Sequence, residues 1–313
     1  MGTSLQTLNL TSADFGGKDG CNEYLILTKP EAVRTVHEGF LKAGCDAIET
    51  NTFGASRLNL GEYGLSDKVL EINEKATGLA RKIADEYSSP SRPRFVIGSI
   101  GPGTKLPSLG HIDFDTLKAD TKEQIRGLVS GGADALIIET CQDLLQVKTS
   151  VIAALEYFEE NKVRLPLIVQ LTFETTGTML LGTDMSAVLT TLEMFPVDVI
   201  GMNCATGPVE MAEHLRYLCE NSVKYISALT NAGLPENIGG HAHYHLKPEE
   251  LAAAHERFVK EFGVNIIGGC CGTTWQHLKA VADRLHGAKP KRREPKHEPS
   301  CSGLYSAVTY RQN

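Results

Sequence analysis

Short apolar runs rich in valine and isoleucine recur along the chain, and a longer amphipathic stretch follows each of them. The runs are short and largely apolar in their bodies, which is typical of strands buried on both faces. Seven strands are predicted on this basis, over residues 46–53, 94–99, 134–140, 166–173, 198–204, 225–231 and 265–271.

The intervening stretches carry apolar residues at helical spacing, as Val33, Val36 and Phe40 do in the first of them. Eight helices are predicted, over residues 30–43, 68–87, 114–131, 143–160, 184–195, 208–221, 247–262 and 274–286. Strands that alternate with helices form right-handed βαβ units around a parallel sheet. The pattern therefore predicts an α/β fold, a (β/α)8 TIM-type barrel rather than an open sheet.

The two ends of the chain depart from this alternation. The chain begins with a loop and a helix, so the first strand of the barrel is expected to be missing from it. Residues 288–313 lose the periodicity and gain proline and basic residues, which is typical of a linker. We predict a barrel domain over residues 1–287, and a linker with the start of a following module over 288–313.

Composition narrows the possible partners and compartment. The net charge is -7, from 38 acidic and 31 basic side chains, which argues against nucleic acid or an anionic membrane as the main partner. No apolar run is long enough to span a membrane, and the first residues do not resemble a signal peptide. A cytoplasmic protein is therefore expected. In that reducing compartment, clustered cysteines indicate metal binding or catalysis rather than a disulfide scaffold.

Polar, glycine and cysteine residues gather where the predicted strands end, and this is where (β/α)8 barrels carry their chemistry. Cys204 ends one strand, and the adjacent Cys270 and Cys271 end another. Three thiolates at one barrel mouth would form a zinc site with an open fourth position. The sequence alone also leaves open a vicinal disulfide or simply buried thiols.

A second candidate metal site is predicted to be a solvated loop. His241, His243 and His245 alternate in the segment "GGHAHYHL", but their spacing is loose for a metal signature. No acidic or thiol partner is expected beside them.

Several motifs together resemble the homocysteine-binding domain of cobalamin-dependent methionine synthases, in the homocysteine S-methyltransferase family. The resemblance covers nearly the whole chain, and the cysteine strand ends are shared with other homocysteine S-methyltransferases. The motifs are "LTSADFGGKDGCNEYLILTKPEAV", "ETNTFGASRLNL", "GSIGPGTKLPSLG", "IETCQDLLQVK", "GTMLLGTD", "GMNCATGPVEM", "NAGLPEN" and "GGCCGTT".

The resemblance implies a role for particular residues. The three cysteines would hold zinc, and homocysteine would take the open position through its sulfur. Glu139 matches the acid that holds the substrate ammonium, Asn22 a loop position near the substrate carboxylate, and Asn231 a residue near the open position. Thr230 stands where the family commonly has proline.

The resemblance also implies the reaction and the partners. The activated homocysteine would take a methyl group from methylcobalamin, supplied by another module or in trans, to give methionine. Cobalamin-binding and folate-binding modules are the implied partners, and the tail "CSGLYSAVTYRQN" resembles the entry to the folate-binding module.

One departure from the family pattern leaves two alternatives. The family has an apolar strand ending Asp-Gly before the "MGT" motif, whereas Met1 is the first residue here. Since pairing of the first and last strands closes such a barrel, an open edge and weaker homocysteine binding are expected. The alternatives are a stand-alone homocysteine methyltransferase with a sulfonium or betaine donor, or a non-catalytic incomplete module.

Overall fold

The computed structural model describes residues 1–239, 241–296 and 298–310, and it has an α/β fold in which parallel strands alternate with helices. The chain divides into two compact units. The first comprises Met1–Glu139 and Leu145–Leu167, and the second comprises Thr140–Leu144 and the chain from Ile168 onward.

The first unit is built on parallel pairing of β1 with β2 and of β2 with β3. Its helix α5 shows why the amphipathic stretches fold as they do. Ile72, Ala76, Ala80 and Ile83 recur every three to four residues and are fully buried. The strands are β1 Ala47–Glu49, β2 Phe95–Ile100 and β3 Ala135–Cys141, and the helices are α1 Gly2–Gln6, α2 Leu25–Thr28, α3 Pro30–Ala43, α4 Arg57–Gly61, α5 Val69–Tyr87, α6 Phe114–Ser130 and α7 Leu144–Asn161.

The second unit continues the parallel pattern, with β4 paired to β5, β5 to β6, and β6 to β9. Every residue of β4 and β5 is buried, as expected of strands covered on both faces. The parallel strands are β4 Leu167–Leu171, β5 Val199–Asn203, β6 Tyr225–Thr230 and β9 Ile266–Gly269. Two antiparallel hairpins join β7 Glu236–Ile238 to β8 His241–His243 and β10 Ser300–Ser302 to β11 Ala307–Thr309. The helices are α8 Met185–Glu193, α9 Pro208–Asn221, α10 Pro248–Arg257 and α11 Trp275–Leu285.

The predicted fold class is confirmed. Each of the seven predicted strands overlaps a parallel strand of the structure, and residues 1–46 form no strand. The short helices α1, α2 and α4 and both hairpins were not predicted. The predicted helix 247–262 is α10 followed by a π-turn over Phe258–Phe262. Within the described residues, no helix combines the length and apolarity needed to cross a membrane.

The segment predicted as a linker packs on other parts of the second unit. Arg293 donates to the carbonyl oxygens of Ser222 and Lys224, at 3.0 and 2.6 Å. Nearby, the hydroxyls of Thr190 on α8 and Ser300 on β10 lie 2.9 Å apart. The assignment of residues 288–313 to a linker and a following module stays a prediction.

Candidate functional site

Three cysteines of the second unit form a compact cluster at the ends of β5 and β9. The Sγ atoms of Cys204, Cys270 and Cys271 all lie within 4.8 Å of one another, and those of Cys204 and Cys271 are 3.7 Å apart. Two thiolates bound tetrahedrally to one zinc at about 2.3 Å would be separated by about 3.8 Å. The three thiols therefore fit a zinc ion, and the structure brings together the residues that the sequence nominated.

Strand register explains why residues so far apart in the chain meet. Asn203 at the end of β5 is opposite Leu229, and Thr230 at the end of β6 is opposite Gly269 of β9. Cys204 and Cys270 are the next residues of their strands' extensions. Parallel strands in this register end at the same level, so both thiols emerge at one edge.

Backbone hydrogen bonds and unusual dihedral angles fix the two cysteine segments. Cys270 N–H donates to the Thr230 carbonyl at 2.8 Å, and Cys271 N–H donates to Asn231 Oδ1 at 3.0 Å. Cys204 has a φ of 61° and Ala205 one of 55°, in the left-handed region that non-glycine residues rarely adopt. Such a conformation persists where the surroundings enforce it, and it is concentrated at functional sites.

The three thiols are electrostatically coupled. Hydrogen bonds from Cys204 and Cys270 lower the pKa of Cys271 to about 3. Hydrogen bonding to its two neighbours, together with burial, raises the pKa of Cys270 well above its ordinary value. The cluster therefore favours a single negative charge, and a cation is needed for all three sulfurs to be thiolates at once.

Asn203, a residue that the sequence analysis missed, links the cluster to Thr140, which also belongs to the second unit. Its Oδ1 accepts from Thr140 N–H at 2.8 Å, and its Nδ2 donates to Thr140 Oγ1 at 2.7 Å. The same Nδ2 lies 3.9 Å from Cys270 Sγ. Thr140 itself has a φ of 58°, so Asn203 holds a strained backbone in place. In the sequence, the position of Asn203 directly before Cys204 could have identified it as a candidate site residue.

Two of the predicted substrate-binding residues lie in the first unit. Glu139 is buried near the end of β3, and its Oε1 accepts from Ser99 Oγ at 2.5 Å. Asn22 begins a short 3-10 turn, and its carbonyl oxygen accepts from Asn51 Nδ2 at 2.8 Å. A hydroxyl donor stabilises a carboxylate, which suits Glu139 to an ammonium partner. The roles of both residues stay predictions.

The third predicted substrate-binding residue, Asn231, lies beside the cysteines. Its side chain is buried, and its Oδ1 is engaged by the amide of Cys271. The buried hydroxyl of Thr230, where the family commonly has proline, has no hydrogen-bond partner within the described part of the chain. Asn231 therefore contacts the backbone of a candidate ligand in this structure, and its nearness to an open metal position stays a prediction.

The side chain of His241 in the histidine loop lies outside the described part of the structure, within which the cysteine trio is the group with suitable geometry for a metal ion. The expectation that the histidine loop lacks an acidic partner is wrong, however. His245 Nε2 and Glu236 Oε2 are 2.7 Å apart across the base of the β7–β8 hairpin. Both side chains are largely exposed, so the pair is a surface contact.

Known proteins resemble the chain over its whole length. A family model described as homocysteine S-methyltransferase matches residues 1–285. Methionine synthase of Mycobacterium tuberculosis is 46% identical over 313 residues, and that of Mycobacterium leprae is 45% identical over 317 residues. The alignments cover 100% of this chain and 26% of each relative, so the chain spans about a quarter of their length.

A solved structure supports the fold. The metallated form of the homocysteine methyltransferase MmuM from Escherichia coli superposes with a TM-score of 0.72 at 21% sequence identity. The match covers 91% of this chain and 93% of that one.

Proposed function

The chain belongs to the homocysteine S-methyltransferase family, and we propose that it is the part of a methionine synthase that binds and activates homocysteine. The observation that carries this proposal is the cluster of three thiols at the ends of β5 and β9, within 4.8 Å of one another. The 46% identity with a methionine synthase favours this family member over a stand-alone enzyme with a sulfonium or betaine donor.

Cys204, Cys270 and Cys271 are the proposed zinc ligands, and the fourth position is for the homocysteine sulfur. A free thiol has a pKa of about 8.5, so little of it is thiolate at neutral pH. Zinc in this site would supply Lewis acidity that removes the thiol proton, while three thiolate ligands keep the sulfur electron-rich and nucleophilic. The cysteines thus bind the ion and fix where the substrate sulfur is presented.

The remaining residues would orient the amino acid part of the substrate. Glu139, already held by Ser99, would accept hydrogen bonds from the homocysteine ammonium. Asn22 would contact the carboxylate, and Asn231 would support the cysteine segment through the amide of Cys271. Contacts that fix the orientation of a small substrate hold its sulfur in the geometry required for reaction, and this lowers the entropic part of the barrier.

The proposed methyl donor and partners rest on the resemblance to cobalamin-dependent methionine synthases. We propose methylcobalamin as the donor, delivered by a cobalamin-binding module, with a folate-binding module after residue 287. A cytoplasmic location belongs to the same proposal.

The test combines metal analysis with a methyl transfer assay. The purified chain should contain about one zinc, and it should convert homocysteine to methionine with free methylcobalamin as the donor. Betaine and a methylated sulfonium compound serve as competing donors. Absence of zinc from a protein refolded with it would contradict the metal assignment. Faster transfer from betaine or the sulfonium donor would contradict the choice of methylcobalamin.

A further inference from the structure

Tyr244 lies against the cysteine cluster and is not among the residues assigned above. It follows β8 directly, and its side chain is half-buried in a segment whose neighbours His243 and His245 are exposed. Its hydroxyl lies close enough to the Cys271 sulfur to interact with it electrostatically. A phenol donates to a thiolate in such a contact, because the sulfur has no proton to offer.

The ring of Tyr244 is seated on the backbone of the cysteine segment. A Cβ atom added to Gly272 would lie 2.2 Å from Tyr244 Cγ and 2.5 Å from its Cδ2. Only a residue without a side chain leaves room for the ring there, and Gly272 also has a φ of 76°. Gly272 therefore has two roles: it allows the chain to turn, and it leaves space for the Tyr244 ring.

Hydrogen bonds on the C-terminal side of Tyr244 tie its segment to the same loop. Leu246 N–H donates to the Ala232 carbonyl at 3.2 Å, and Ala232 N–H donates to the Cys271 carbonyl at 3.0 Å. His277 Nε2 donates to the Leu246 carbonyl at 2.8 Å. The position of the phenol relative to Cys271 is thus fixed through backbone contacts and not only through its own hydroxyl.

We propose that Tyr244 is a positioning residue for the metal centre, whose hydroxyl donates to Cys271 Sγ and sets the charge and direction of that ligand. This inference rests on the proposed zinc site. Three thiolates and one zinc carry a net negative charge, and a bound substrate thiolate adds to it. A donor to one sulfur offsets part of that charge, and outer-sphere hydrogen bonds of this kind orient ligands and tune metal affinity.

The experiment compares Tyr244→Phe, which keeps the ring on Gly272, with Tyr244→Leu, which removes it. Tyr225→Phe, at the start of β6 and largely exposed, is the matched control. Zinc affinity is measured by competition with a chromophoric chelator, and cobalt(II) is added separately to record the sulfur-to-metal charge-transfer absorption. Circular dichroism checks the fold of each variant.

We expect Tyr244→Phe to weaken zinc binding by about tenfold and to move the cobalt(II) charge-transfer band to longer wavelength, because a sulfur without its donor is more electron-rich. Tyr225→Phe should match the wild type in both. Wild-type zinc affinity and an unshifted cobalt(II) band in Tyr244→Phe would overturn the proposal. This holds even if Tyr244→Leu binds zinc more weakly, because the ring and not the hydroxyl would then be responsible. A wild-type chain that binds no zinc would instead overturn the proposed function.

Discussion

Backbone contacts hold each of the three thiols before any ligand is considered. Cys204 N–H donates to the Leu229 carbonyl at 3.3 Å, while Cys270 and Cys271 donate to the last residue of β6 and to the residue that follows it. A donor set that is already in place loses little conformational freedom when it binds an ion. The affinity of the site should therefore depend on all three sulfurs and little on the other cysteines.

Removing one of the three sulfurs should remove tight zinc binding. In Cys204→Ala or Cys271→Ala we expect zinc affinity to fall by about two orders of magnitude, since each thiolate supplies a large share of the binding free energy. Zinc content after dialysis against a weak chelator measures this. Cys219→Ala, at a buried cysteine on α9, is the control and should retain about one zinc. Full occupancy in the Cys204→Ala, Cys271→Ala double variant would refute the ligand assignment.

Glu139 offers a charge that is separate from the metal ligands. In Glu139→Gln we expect homocysteine binding to weaken by about 10- to 100-fold, because a hydrogen bond to a charged group contributes about 1.5–3 kcal/mol. Zinc content should stay unchanged. Calorimetric titration with homocysteine and metal analysis measure the two quantities, and Glu159→Gln on the exposed face of α7 is the control. Loss of zinc in Glu139→Gln would show that its role is not confined to the substrate.

At the scale of elements, the parts that local pattern determines were predictable. The seven parallel strands follow from apolar runs, and the cysteine trio follows from the position of those residues at strand ends. The β7–β8 hairpin was missed because it is polar and glycine-rich. Asn203 and Tyr244 were missed because their partners, Thr140 and Cys271, are distant in the chain and meet them only in the folded protein.

Asn203 holds Thr140, a residue of the same unit, so its removal should destabilise the second unit. Asn203→Ala leaves the amide and hydroxyl of Thr140 without their partner in a half-buried setting, which should cost about 2 kcal/mol of stability. Urea unfolding measures this loss. Asn221→Ala, at the exposed end of α9, removes one hydrogen bond, from Asn221 Nδ2 to the Tyr217 carbonyl, and should reduce stability much less. Equal losses in the two variants would contradict the special role of Asn203.

At the scale of the whole molecule, two histidines are buried where nothing in the proposed chemistry uses them. Burial lowers the pKa of His37 to about 3 and that of His255 to about 4. Both rings are therefore neutral in the folded protein at pH 7. In the unfolded chain they would bind protons at about pH 6.5. Folding excludes those protons, and this couples the stability of each unit to pH.

The sign of this coupling gives the last prediction. The pKa of His255 is lower in the folded protein than in the unfolded chain. Above pH 6.5 the ring is neutral in both states, so His255 does not reduce the free energy of unfolding. Below pH 6.5 the unfolded chain binds a proton that the folded protein excludes, so stability falls as the pH drops toward 4. Between pH 7 and pH 5 this residue should account for a loss of about 2 kcal/mol. Urea unfolding at both pH values measures it. In His255→Gln the loss should shrink by that amount, whereas the exposed His286→Gln should behave as the wild type. An unchanged loss in His255→Gln would show that other groups govern the acid sensitivity.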